Sequence, residues 1–231
     1  MNAILKPLSR TLALALAAFA FQAHAQVRIT EVAPWASTPA NAPYATDWFE
    51  LTNMGTSAVN ISGWKMDDSS PNFATTAVAL TGITSIAAGE SVIFTENPAT
   101  ASFLSTWFGA NVPAGLQVGN YTGSGVGLST TADEVNIFDS TGTLQAKVTF
   151  GASNNTTAPF LTFDNAAGLN GVAISALSTV GINGAFQSAS GPVAIGSPGA
   201  IANPIPEPET YAMLLAGLAL LGGIARKRQS K

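Results

Sequence analysis

Between Val27 and Phe150, short runs of alternating apolar and polar residues follow one another, each closed by turn residues. This rhythm limits the fold more than any other feature. Val27–Val32 alternates as a half-buried strand does. Trp48–Asn53 is a second run and ends in an Asn-Met-Gly turn. Val59–Ile61, then Trp64–Met66 after Ser62-Gly63, then Ser91–Thr95 after Gly89 continue the series. Glu134–Asp139 and Gln145–Phe150, joined through Ser140-Thr141-Gly142-Thr143, read as a hairpin. Only Thr100–Phe108 has helical spacing, with Phe103, Leu104, Trp107 and Phe108 on one side. Charged residues make up 10% of the chain, against about 25% in an average globular protein. Long soluble helices need charged outer faces, so this composition favours strands and turns. The pattern predicts an all-β, antiparallel β-sandwich or barrel.

The two ends read as addresses rather than as fold. Lys6 and Arg10 precede an apolar run of 11 residues from Thr11 to Phe21, and Ala23-His24-Ala25 is a small-x-small cleavage site. Residues 1–25 are therefore expected to be a signal peptide, with Gln26 opening the mature chain and Ala23 and Ala25 flanking the recognition position. At the other end a Pro-rich spacer leads into an uncharged stretch of 15 residues, Tyr211–Ala225, followed by Arg226-Lys227-Arg228. That stretch is apolar all round, as a short hydrophobic helix in a membrane is. The basic cluster acts as a membrane stop and would keep the C-terminus on the cytoplasmic side. The expected organisation is signal peptide 1–25, β-domain 26–203 and sorting or anchor segment 204–231.

Removing the ends changes the electrostatics. The central domain keeps three basic residues (Arg28, Lys65, Lys147) and eleven acidic ones, a net charge of −8. Such a surface repels phosphate backbones and disfavours nucleic acid as a partner. The chain has no cysteine, and its single histidine, His24, falls in the signal segment. A Ser-His-Asp triad, a Cys-His pair and a His- or Cys-ligated metal site are thereby excluded from the mature domain.

Two resemblances add to this reading. Pro206-Glu207-Pro208, the Tyr211–Leu218 segment, Leu221-Gly222-Gly223 and the basic end together resemble the PEP-CTERM sorting tail of Gram-negative bacteria. That resemblance implies recognition by an exosortase, processing near Pro206-Glu207-Pro208, and delivery to the cell surface or a biofilm matrix. In the middle, Ile29-Thr30-Glu31-Val32, Asp47-Trp48-Phe49-Glu50-Leu51-Thr52-Asn53, the segment Val59–Asp68 and the hairpin Asp133–Gly151 resemble the lamin-tail domain, in that order. Ser197-Pro198-Gly199-Ala200 resembles a closing turn of bacterial members. This implies an immunoglobulin-like β-sandwich. The match is strong over 27–151 and weak over 152–200, where the chain either completes the sandwich or forms a long surface excursion.

The candidate chemistry is sparse. Trp64 and Trp48 read as core residues, whereas Trp35 and Tyr44, in a Pro- and Ala-rich loop, are the expected exposed platform for a ligand such as a polysaccharide. Asp47, Asp67, Asp68 and Asp133 lie at strand ends and are the candidate calcium ligands, because calcium takes carboxylate and carbonyl oxygens on loops. No other cofactor is expected. A glycosidase would need two carboxylates about 5–10 Å apart in a cleft, and no pair is placed so by the sequence. The expected function is a non-enzymatic binding or structural module, exported and held at the envelope or in the extracellular matrix through residues 211–225 until processed. Its expected partners are an exosortase and either a polysaccharide or a surface protein. The alternatives are an accessory module or carboxylate-based enzyme of extracellular hydrolysis, and a DNA-binding lamin-tail module.

Overall fold

The computed structural model describes residues 27–200 except 69, 70 and 124, together with 217 and 218. The expected signal peptide, its cleavage residues Ala23, Ala25 and Gln26, the motif Pro206-Glu207-Pro208 and the stop Arg226-Lys227-Arg228 lie outside the described residues. Residues Ala25–Ile205 form one compact unit.

In chain order the elements are β1 (Val27–Ala33), β2 (Trp48–Asn53), β3 (Val59–Asn60), β4 (Lys65–Asp67), β5 (Val78–Thr81), β6 (Ser85–Ile86), β7 (Ser91–Thr95), α1 (Thr100–Phe108), β8 (Val118–Tyr121), β9 (Asp133–Phe138), β10 (Leu144–Phe150), β11 (Phe160–Leu161), β12 (Phe163–Asp164), β13 (Val172–Ile174), β14 (Phe186–Gln187) and β15 (Ala194–Gly196). The expected strands and the single helix are all present. Ten strands form one continuous sheet in the order β12-β1-β2-β7-β8-β5-β4-β9-β10-β13. The sheet doubles over, so that β1 packs against β10. Val27, Phe49, Leu51 and Phe94 from one half meet Met66, Val135, Ile137 and Val148 from the other in one apolar core. Trp64 belongs to that core, as the sequence suggests.

The ladders are not all antiparallel. β7–β8, β10–β13 and β11–β15 are parallel. Parallel neighbours need a crossover, and α1 supplies the one between β7 and β8. At β8 the chain comes so close to β5 that a Cβ on Gly119 would lie 2.4 Å from the carbonyl oxygen of Thr81. Residues 152–200 complete the fold. β12 pairs with β1 at one edge of the sheet, and β13 with β10 at the other.

Every residue of β2 is buried. A strand buried on both faces needs cover on both, and the outer cover is a second layer. It is built from α1, the 34–46 loop and the small sheet β11-β15-β14. Trp48 points out into this layer, edge-on to Phe103 and Trp107 with centroids 5.5 and 5.7 Å away. The Tyr44 hydroxyl accepts hydrogen bonds from both indoles, Trp48 Nε1 at 3.1 Å and Trp107 Nε1 at 3.2 Å. Phe103 and Trp107 stand one helical turn apart, which gives α1 its buried face. The helix ends at Gly109, whose φ of 58° suits glycine.

The polar side of β2 meets this layer at a carboxylate pair. A β-bulge between Ile29 and Glu31 leaves Thr30 unpaired and brings Glu31 opposite Glu50. Both are fully buried. Glu50 accepts from the Thr30 hydroxyl at 2.6 Å and from the Gly199 N–H at 2.7 Å. Glu31 accepts from the Ser197 N–H at 2.7 Å and from the Thr162 hydroxyl. Thr52 then donates to Thr30 at 2.7 Å and Ser91 to Thr52 at 2.6 Å, and Ser91 Oγ lies 3.3 Å from the carbonyl oxygen of Ala200. The 197–200 strap is thus tied to the sandwich by donors to two carboxylates. Gly196 leaves room for it: a Cβ there would lie 2.6 Å from Glu31 Oε1.

Burial, and next the neighbouring Glu50, pushes the Glu31 carboxyl well above its ordinary value of 4.5. Burial also raises Glu50. A carboxyl held up in the folded state binds more protons there than in the unfolded chain. Its contribution is therefore complete below the ordinary carboxyl range and is lost as pH rises through the raised value. The domain's unfolding free energy, and with it the melting temperature, should fall between about pH 5 and pH 8, by up to about 1.4 kcal/mol per pH unit for each proton released. Glu31→Gln keeps an acceptor for Ser197 and removes the charge, so it should flatten the curve and raise the midpoint at the alkaline end. Differential scanning calorimetry across that range reads both effects. Trp107→Ala should cost about 3–5 kcal/mol in a denaturant titration.

Candidate functional site

The aromatic platform expected at Trp35 and Tyr44 is not on the surface. Trp35 is 1% exposed and Tyr44 6%. Trp35 stacks on Phe160 at 5.3 Å and donates from Nε1 to the carbonyl of Leu161 at 2.8 Å. Tyr44 holds the two indoles described above. The Pro-rich loop folds inward because β2 must be covered, so neither ring is free to stack on a ligand. Trp48, expected in the core, is fully buried.

The four candidate acids do not converge. Asp47, just ahead of β2, accepts the Ser37 N–H at 2.8 Å and is pushed up to about 8 by burial. Asp133, at the start of β9, accepts the N–H groups of Ser129 at 2.7 Å and Glu134 at 2.9 Å. Asp67 and Asp68 are neighbours at the end of β4. Among the described residues no three Asp, Glu, His or Cys side chains gather in one place. The expected four-carboxylate cluster is therefore replaced by separate anchors, three of them on different strands or strand ends. Asp47, Glu96, Asp68 and Asp133 all lie within electrostatic reach of Tyr121. Burial, then these four carboxylates, pushes the Tyr121 phenol well above its ordinary range.

One residue escaped the sequence reading. Asn136 sits in the middle of β9, fully buried, directly opposite Asp67. Its Nδ2 donates to the carbonyl of Asp68 and to Glu134 Oε1 at 2.9 Å. Glu134 in turn pairs with Lys147 at 2.6 Å. The available signal was a lone amide within an otherwise alternating strand, where an apolar residue or a solvated polar one is usual.

Glu31 and Glu50 are the acids that lie closest to acid–base chemistry, since they share a site and are raised together. They are sealed by the strap. Beside them runs an open groove of about 400 Å³, lined by Glu90, Ser91, Pro113, Leu116 and Gly199 among others. The carboxylate in its lining is Glu90, which accepts from Gln117 Nε2 at 2.7 Å and from the Ala87 N–H at 2.6 Å. The groove is thus shaped and mostly apolar, with its acid already engaged.

Against this geometry, family comparisons give two matches. The Lamin Tail Domain model matches residues 20–152 and the PEP-CTERM protein-sorting motif matches residues 204–229. No curated protein and no solved structure matches the chain. The domain match ends just after β10, although the described fold continues through the strap at 197–200. The PEP-CTERM motif carries exosortase-dependent export to the cell surface. The immunoglobulin-like sandwich seen here is that of the matched domain, and the chain belongs to the Lamin Tail Domain family.

Proposed function

We propose that this chain is a non-enzymatic binding module displayed at the cell surface or in an exopolysaccharide matrix. The observation that carries the reading is the pairing of a rigid, doubly covered sandwich with a sorting motif immediately after it. A sandwich of this kind offers recognition through loops held on a stiff frame. Support for a non-enzymatic role comes from the acids: Asp47, Asp67, Asp133 and Glu90 each accept hydrogen bonds from the main chain, which fixes loops. The net charge of −8 between the end segments favours a neutral polysaccharide or a basic protein surface over an anionic polymer. Residues 211–225 would hold the chain in the inner membrane until the tail is processed. Among the described residues no helix is long and apolar enough to cross a membrane.

Two measurements test this reading. Replacing Pro206-Glu207-Pro208 by alanines should leave the protein in the membrane fraction, while the unaltered chain reaches the surface. Surface delivery of the altered chain would remove the sorting step. The mature protein incubated with the producing cell's own exopolysaccharide should bind saturably without shortening it. Shortened chains, read by size-exclusion chromatography, would make the protein a hydrolase and turn attention to Glu31 and Glu50.

A further inference from the structure

Asp67 and Asn136 are register partners on β4 and β9. The adjacent pair, Met66 and Ile137, lies in the sandwich core. Side chains alternate along a strand, so Asp67 and Asn136 share the opposite face. Both are 0% exposed. Asp67 Oδ2 accepts from the Asn72 N–H at 2.7 Å and from the Thr76 hydroxyl at 2.8 Å, which draws the segment at 71–77 across the carboxylate. Asn136 Nδ2 is committed to the carbonyls of Asp67 and Asp68 and to Glu134.

Two oxygens are left over. Asp67 Oδ1 and Asn136 Oδ1 are buried and have no hydrogen-bond partner among the described residues. Buried acceptors without donors are rare, and each asks for an ion or a water. Directly opposed residues have Cβ atoms about 4.5–5.5 Å apart, which sets the two side chains next to each other. The basic residues of the domain are occupied elsewhere: Lys147 pairs with Glu134, Lys65 lies over the Phe73 ring, and Arg28 donates to main-chain carbonyls.

We propose that Asp67 Oδ1 and Asn136 Oδ1 hold a calcium ion beneath the 71–77 segment, with main-chain carbonyls and water completing its shell. A carboxylate, an amide oxygen and carbonyls are the donor types calcium accepts, in a flexible shell that magnesium does not tolerate. So few protein charges place the affinity in the ~10⁻⁴–10⁻³ M range of extracellular modules. The site is separate from the surface-binding reading: its work is to lock one loop against the sandwich once the chain is outside the cell.

The test uses the full chain. Calcium at ten times the dissociation constant should raise the melting temperature by about 4 °C, and magnesium at the same concentration should raise it less. Amide exchange at Asn72, Thr76 and Ala77 should slow on adding calcium. Asp67→Asn presents an N–H to Asn136 Oδ1 and keeps an acceptor for Asn72, so it should abolish the calcium response while retaining the calcium-free melting temperature. No calcium response in the unaltered chain would overturn the proposal and leave water as the occupant. Protection confined to another segment would overturn it too, even if the variant failed to fold. So would an Asp67→Asn chain that responds as the unaltered one does.

Discussion

The hydrogen bonds from the Ser197 and Gly199 main chain to Glu31 and Glu50 hold the second layer to the sandwich. Two carboxylates facing each other in a buried site are unfavourable unless protons or donors compensate them. Here the compensation is local and specific: a bulge at Thr30 that sets the pair, hydroxyls from Thr30 and Thr162, and two N–H groups from a strap that arrives more than a hundred residues later in sequence. Remove the strap and each carboxylate loses its main-chain donor, keeping only the hydroxyl of Thr30 or Thr162. The pair therefore selects one position for the strap and, through Gly196, one approach to it.

That selection explains why the aromatic residues gather where they do. Trp48, Phe103, Trp107 and Phe160 lie on the outer side of the same sheet that carries the pair. Large rings bury much surface but tolerate many arrangements, whereas hydrogen bonds, being directional, tolerate few. In this layer the rings supply the driving force and the carboxylates supply the register. The Tyr44 hydroxyl, shared between two indoles, performs the same service at the far side.

Much of this was legible in the sequence, and what was not has identifiable causes. The alternation of Trp48–Asn53 located β2 but could not reveal that its polar side is also covered, because Glu50 and Thr52 read as solvated residues unless a distant strap is known to reach them. The same blindness put Trp35 and Tyr44 on the surface: a loop rich in proline and alanine looks exposed when the sheet beneath it is thought to need only one cover. β8 was unmarked because Val118-Gly119-Asn120-Tyr121 carries a glycine where strands usually carry bulk, and only the close approach of Thr81 shows why. Asp67 and Asp68 were visible as a pair at a strand end. Their true neighbour, Asn136, lies far along the chain, and pairing across strands is not written in local periodicity.

The strap has a mechanical meaning as well. Ala200 closes the described strap ahead of the sorting segment, with its carbonyl oxygen 3.3 Å from Ser91 Oγ on a central strand. Any tension from a tethered C-terminus passes through this strap. It is carried to β1 and β2 by the Ser197 and Gly199 donors, and to the outer layer by β15 against β11 and β14. A pull on the tail is therefore shared from the start between the outer layer and three neighbouring strands of the ten-stranded sheet, so the strap works as a clamp across both layers.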